Sequence, residues 1–199
     1  MYPIFTCVVV FCLWLRYTLN RSDRITRQKQ NKLWEEEHEA NFTRRQPLDG
    51  LHYITFSENA IPLIETNDMQ LNKTLSSLQS LTSVKIVKLS EYTNTELKKM
   101  YGPANLPLLT EYDVNYTTLV RLLQQYAARL SELSLSSEAV RVLEYSVSIG
   151  CDMASTYKLL ADLYHEKDDT DKIASLIDTT DQLNPLYRES TIRYLQNYL

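Results

Sequence analysis

The chain has 199 residues, 44% apolar and 23% charged, and 21 Lys and Arg against 25 Asp and Glu leave a formal charge of −4. That is the composition of an ordinary folded protein, not a disordered one. Its three glycines, Gly50, Gly102 and Gly150, stand far apart, which excludes a phosphate cradle built from clustered glycines and disfavours glycine-hungry sandwiches and barrels.

Residues Pro3 to Leu15 carry no charge, and apolar character runs on from Tyr2 to Leu19. As a helix the shorter stretch is about 20 Å and the longer about 27 Å, against a hydrocarbon core of about 30 Å. Arg16 can snorkel, and Trp14 and Tyr17 suit an interface. A secretory signal needs a basic residue before the run and a small-residue cleavage site after it, and neither is present. Residues 1–19 are therefore expected to form a single-pass transmembrane anchor in the cell membrane. Arg16, Arg21, Arg24, Arg27, Lys29 and Lys32 follow, with Asp23 as the one acid among them. This bias predicts a cytoplasmic carboxyl-terminal domain. Arg21, Arg24, Arg27, Lys29 and Lys32 are also candidate contacts for anionic lipid headgroups, worth about 1 kcal/mol each, although setting topology would account for them alone.

Leu33 to Asn41 is rich in helix formers and continues from the basic stretch without Pro or Gly, so one long helix is expected. Glu35, Glu36, Glu37 and Glu39 reverse the charge and read as a solvated face. Pro47 and Asp49-Gly50 end the stalk, which occupies residues 20–50.

Residues 51–112 read as a small mixed α/β module. Leu51 to Phe56 and Val84 to Leu89 are short and β-rich, with their pairing left open. Leu71, Leu75, Leu78 and Leu81 make a helical stripe between them. Thr93 and Glu96 have capping-box spacing, and Gly102-Pro103 closes that helix. Asn41, Asn72 and Asn115 each begin an N-x-Thr triplet, for which chance is the default.

An internal repeat begins near Asp113. Glu138 to Leu143 aligns with Lys172 to Ile177, and Cys151 falls opposite Pro185 at the same separation. Upstream, Leu119, Leu122 and Tyr126 match Tyr157, Leu160 and Tyr164 at a separation four positions longer, which predicts one added helical turn in the first copy. On that longer offset Leu123 takes the small position, compensated by Ala139, while the second copy sets Ala161 against Ile173.

With Tyr157, Leu160-Ala161, Tyr164 and Pro185 in their places, this region resembles the tetratricopeptide repeat, a pair of antiparallel helices with a period of about 34 residues. The resemblance implies a helical domain over 113–199, with repeats of about 117–152 and 153–185 and a capping helix at 186–199. The layout also looks like a group of membrane-anchored repeat proteins of Gram-positive bacteria. That likeness is carried by Asn94 to Leu97, Tyr101 to Leu106 and Leu109 to Asp113, and no activity comes with it. The fold class expected is thus mainly α: transmembrane helix and stalk, mixed module, helical hairpins, capping helix.

Stacked hairpins form a concave face that suits an extended peptide or a partner helix. By resemblance the first helix of each repeat lines it, giving Arg121, Gln124, Lys158, Asp162 and His165 as candidate groove residues. Lys158 and Asp162 are four apart and could pair with each other. The expected function is a membrane-tethered protein-interaction scaffold. An enzyme of unidentified class, drawing on Glu58, Asp68, Glu91, Glu96 or Tyr101, is the alternative, although Ser, His and Asp are not grouped in a known motif. Cys7, Cys12, Cys151, His38, His52 and His165 are scattered without zinc spacing, so no metal or cofactor is expected. A pI near 5.4 argues against nucleic acid.

Overall fold

The computed structural model describes residues 2–64 and 66–199, apart from the side chains at 2–6, 10, 13, 25 and 58. The protein is mainly helical. Its helices are α1 (Tyr2–Asn41), α2 (Met69–Ser80), α3 (Asn94–Tyr101), α4 (Leu106–Glu132), α5 (Ser136–Ser148), α6 (Ala154–His165), α7 (Thr170–Asp178) and α8 (Pro185–Gln196). The Cα positions group into two compact units, Met1–Gly50 with Glu91–Leu108 and Leu51–Ser90 with Leu109–Leu199.

In the first unit α1 runs unbroken, as its lack of Pro and Gly after the first turn allows. Among the described residues no helix is long and apolar enough to cross a membrane. The expected span at 1–19 falls partly on residues and side chains outside the described ones. Near its carboxyl end α1 packs on α3, where Ala40 is buried. There the Glu37 carboxylate pairs with Lys98 and accepts the Thr95 hydroxyl at 2.6 Å. α3 begins with a complete Thr93–Glu96 capping box. It ends at Gly102, whose φ of +83° and ψ of 148° belong to a region open almost only to glycine. Buried Asn105 then accepts from Arg45 Nε at 2.9 Å and donates to the carbonyls of Gln46 and Tyr101 at 2.7 Å each. A buried amide with three partners leaves little polar capacity unmet.

The second unit corrects the expected mixed module, because no strand forms among the described residues. A single antiparallel bridge joins Tyr53 to Val87, with Ile54 N–H donating to the Ile86 carbonyl at 2.9 Å. The ladder stops because the next donors are taken by α4. Val87 N–H goes to the Tyr112 carbonyl at 3.3 Å and Leu89 N–H to the Asp113 carboxylate at 2.8 Å. Phe56, Ile61, Ile86 and the α2 stripe of Leu71, Leu75 and Leu78 are buried in one core with Leu119, Leu123 and Tyr126 of α4. Tyr126 also fastens this segment, since its hydroxyl donates to the Pro62 carbonyl at 3.1 Å and accepts from Ile64 N–H at 2.9 Å.

The helices α4 to α8 repeat with one spacing. Ser134 and Asp168 both take the left-handed conformation, at φ of 63° and 56°, and stand as far apart in the chain as Glu138 and Lys172. Around them Leu135 N–H donates to Leu130 and Asp169 N–H to Tyr164, while Ser134 N–H donates to Ser131 and Asp168 N–H to His165. Every pair keeps that same interval, and so do the first residues of α5 and α7, Ser136 and Thr170. The longer offset expected in the first helices is therefore corrected. Leu123, Tyr126, Ala127 and Leu130 are the equivalents of Tyr157, Leu160, Ala161 and Tyr164, and all eight are buried. No turn is added to the first copy, and the small position is Ala127, not Leu123. Continued once more, the spacing reaches Thr191, Tyr194, Leu195 and Tyr198, which start a third copy on α8 and beyond its end. Thr191 and Leu195 there are fully buried.

Candidate functional site

The candidate groove lies wholly in the second unit. Lys158, Asp162 and His165 sit on α6 at steps of four and three, so they share one face. That face is met by α8, with its Asn184 cap and Pro185 start, and by the residues just after it. Tyr194 and Tyr198 both donate to Asp162 Oδ1, at 2.8 and 2.9 Å. Their rings meet edge to face with centroids 5.6 Å apart. The Lys158 ammonium lies 5.2 Å from the Tyr194 ring centroid, and the His165 ring stacks on Tyr198 at 4.6 Å. The expected pairing of Lys158 with Asp162 does not form, because each has an aromatic partner from the chain end instead. Each tyrosine carries one hydroxyl proton, and both protons go to the same carboxylate. The Tyr194 hydroxyl is held well above the usual tyrosine range by its contact with Tyr198 and then by its bond to Asp162.

Gln124 and Arg121, on α4, are not part of that cluster. The half-buried Gln124 accepts the hydroxyl of buried Thr156 at 3.0 Å, and the Cys151 thiol approaches that hydroxyl at 3.5 Å. This Cys151–Thr156–Gln124 chain ties α4 to the start of α6. Arg121 is exposed. Three of the five groove candidates are thus engaged by the terminal aromatic pair, one is spent on helix packing, and one is open to solvent. Sequence reasoning misses the tyrosine pair, because its i, i+4 spacing is visible and its partner is not.

A second polar cluster joins α5, α6 and α7. The Tyr164 hydroxyl donates to Glu144 at 2.8 Å, Lys172 reaches the same oxygen at 3.2 Å, and its ammonium lies 5.1 Å from the Tyr164 ring centroid. A recess of about 230 Å³ between α5 and α7 opens there. Between α2 and α4 a cleft of about 420 Å³ is lined by Gln70, Lys73, Ser77, Gln125 and Arg129. Within the first unit, α1 and α3 enclose a cleft of about 590 Å³ lined by Leu33, Trp34, Glu36, Glu96 and Lys99.

The five candidate lipid contacts, Arg21, Arg24, Arg27, Lys29 and Lys32, lie on α1, and Arg21, Arg24, Arg27, Lys29 and Lys32 are all exposed. Lys32 lies 3.9 Å from Glu36; none of the other four forms an ion pair among the described residues. The apolar side chains before them are bare, with Phe11 57% and Trp14 58% exposed.

Asp68 caps α2 through Leu71 N–H at 2.7 Å and pairs with Arg129, while Glu96 serves the capping box of α3. Glu58 has its side chain outside the described residues. Among the described residues no group of three His, Cys, Asp or Glu side chains could hold a metal ion. Comparison of the chain with protein-family models, curated proteins and solved structures finds no match in any of the three.

Proposed function

We propose that this chain is a membrane-tethered helical-repeat module that gathers a protein partner at the cytoplasmic face. The observation that carries it is the bare apolar stretch at the start of α1. Val8, Val9, Phe11, Trp14 and Leu15 are all exposed on a helix that continues to Asn41. An uncovered apolar surface of that extent needs lipid or protein against it. The tetratricopeptide likeness supports the second half of the reading, through the constant spacing of the left-handed turns at Ser134 and Asp168. Helical pairs repeated at that interval give an extended surface suited to a peptide or a helix.

The partner surface proposed is the face of α4 around Arg121, since Gln124 is taken by Thr156 and the groove candidates Lys158, Asp162 and His165 by Tyr194 and Tyr198. Arg121 is an exposed member of that face, so it is the residue to probe. The experiment is photo-crosslinking from position 125, one helical turn from Arg121 and also exposed, in native membranes, with an Arg121→Glu chain carrying the same crosslinker as comparison. A discrete adduct lost in the variant is the expected result. Identical adducts in both chains would reject this surface. Recovery of the protein in the soluble fraction would reject the tether, and Ser190→Cys labelled equally before and after lysis would reject the cytoplasmic face.

A further inference from the structure

We infer that three arginines near the start of α1, Arg16, Arg21 and Arg24, form a partial collar, an arc of about 140° at 100° per residue, that binds anionic phospholipid headgroups beside an upright helix. The inference rests on the tether proposed above and divides the cations of that helix by height. Trp14 and Tyr17, both exposed, belong at a membrane interface, which sets the hydrocarbon edge near Leu15, with the bilayer thinned locally to the ~20 Å of helix before it. At 1.5 Å per residue, Arg21 lies about 9 Å and Arg24 about 14 Å beyond Leu15, whereas Lys29 and Lys32 lie about 21 and 26 Å beyond it. The headgroup layer occupies about 5–8 Å per leaflet, and the field beyond it decays over about 8 Å at physiological salt. Arg16, Arg21 and Arg24 fall inside that zone, and the two lysines fall outside it.

The distribution around the helix favours the upright pose over one lying flat. Val8, Val9, Phe11, Trp14, Leu15, Tyr17 and Leu19 are all exposed, and at about 100° per residue they are spread around most of the circumference. Val9 and Tyr17 fall within the arc of the arginines, whereas a flat helix needs its apolar residues on one side and its cations on the other. The three arginines are exposed and form no ion pair among the described residues, so their charge is available. Lys32, by contrast, already has Glu36 at 3.9 Å.

The test uses the full chain, with Trp34→Phe leaving Trp14 as the sole tryptophan. It is reconstituted in phosphatidylcholine vesicles doped with brominated phosphatidylglycerol or with brominated phosphatidylcholine. Quenching of Trp14 by the two lipids gives the preference of the helix edge for the anionic headgroup. The collar predicts a preference for brominated phosphatidylglycerol that falls about fivefold for each arginine lost. Arg21→Gln with Arg24→Gln should therefore remove most of it, while Lys29→Gln with Lys32→Gln, an equal loss of charge, should change it by less than twofold. Equal effects of the two double variants would overturn the upright collar. Quenching by both lipids with no anionic preference would overturn the collar and leave the tether standing. No quenching by either lipid would remove the tether, and the collar with it.

Discussion

Tyr194 donates its hydroxyl to the Asp162 carboxylate at 2.8 Å, which ties the last helix of the chain to the face of α6 that carries the candidate groove. Tyr198 donates to the same oxygen at 2.9 Å, so one carboxylate holds two tyrosines and with them the position of α8. Hydrogen bonds to a charged group contribute about 1.5–3 kcal/mol each when well buried, and Asp162 is only half-buried. Asp162→Ala should then cost about 2 kcal/mol for the pair. A urea titration would read this as a lower midpoint with an unchanged slope. An unchanged midpoint would mean that Leu195 and Thr191, both fully buried, hold α8 without help from the carboxylate.

A second carboxylate sets the response to acid. Asp68 accepts from Arg129 Nε at 3.2 Å and caps α2 through Leu71 N–H at 2.7 Å. The Arg129 hydrogen bond, and then the bond from Leu71, hold its carboxyl below the usual range. A carboxylate with a depressed folded value stabilises the fold above its unfolded pKa of about 3.9, and that contribution is lost as pH falls through the folded value. The native chain should therefore lose stability below about pH 4. Asp68→Asn should begin less stable at neutral pH and show a shallower acid limb. Denaturation midpoints measured from neutral pH downward separate the two chains, and parallel curves would exclude Asp68 as the source of the slope.

Local chemistry is the legible part of this fold. The leucine stripe of α2, the Thr93–Glu96 box and the stop at Gly102 all involve residues within a few positions of one another, and all are present. The two β-rich segments mislead because their fate is decided by distant donors and acceptors. Once Tyr112 and Asp113 take the N–H groups of Val87 and Leu89, a ladder cannot lengthen, whatever the β propensity of the segment. The longer offset in the first helices misleads differently. Matching Leu119 and Leu122 to Tyr157 and Leu160 follows hydrophobicity alone, and a helix of 27 residues offers the same pattern one turn either way. Only the left-handed turns at Ser134 and Asp168 fix the register. For the groove, Lys158, Asp162 and His165 are identifiable as one helix face. That the chain's own terminal tyrosines engage it depends on a tertiary contact between residues far apart in sequence.

Gly102 offers a test of the first unit by itself. Its backbone has a φ of +83°, and a Cβ there would lie 2.9 Å from Arg45 Cα and 3.0 Å from the Arg44 carbonyl carbon and oxygen. Those are backbone atoms, so relief requires moving the segment after α1. Gly102→Ala combines that clash with a conformation closed to side chains, and each such strain costs about 1–3 kcal/mol. Faster amide exchange in α3 and at the carboxyl end of α1 is expected. Exchange identical to that of the native chain would show that the segment gives way freely.

The two alanines at equivalent positions provide the sharpest check of the register. Ala127 and Ala161 are both 0% exposed, share the separation of the Ser134 and Asp168 turns, and occupy equivalent positions on the two first helices. Adding three carbons to a filled interior forces neighbours off their rotamers, at about 1–3 kcal/mol. Ala127→Leu and Ala161→Leu should thus destabilise by similar amounts, because their surroundings are equivalent. Under the longer offset the partner of Ala161 would be Leu123, whose site already holds a leucine, and Ala127 would have no reason to be small. Leu123 is itself fully buried, so Leu123→Ala should leave a cavity and cost about 2–5 kcal/mol. Thermal or urea unfolding of the three variants decides between the offsets. A tolerated Ala127→Leu beside a damaging Ala161→Leu would reject the equivalence of the two helices, and a near-neutral Leu123→Ala would restore the longer spacing.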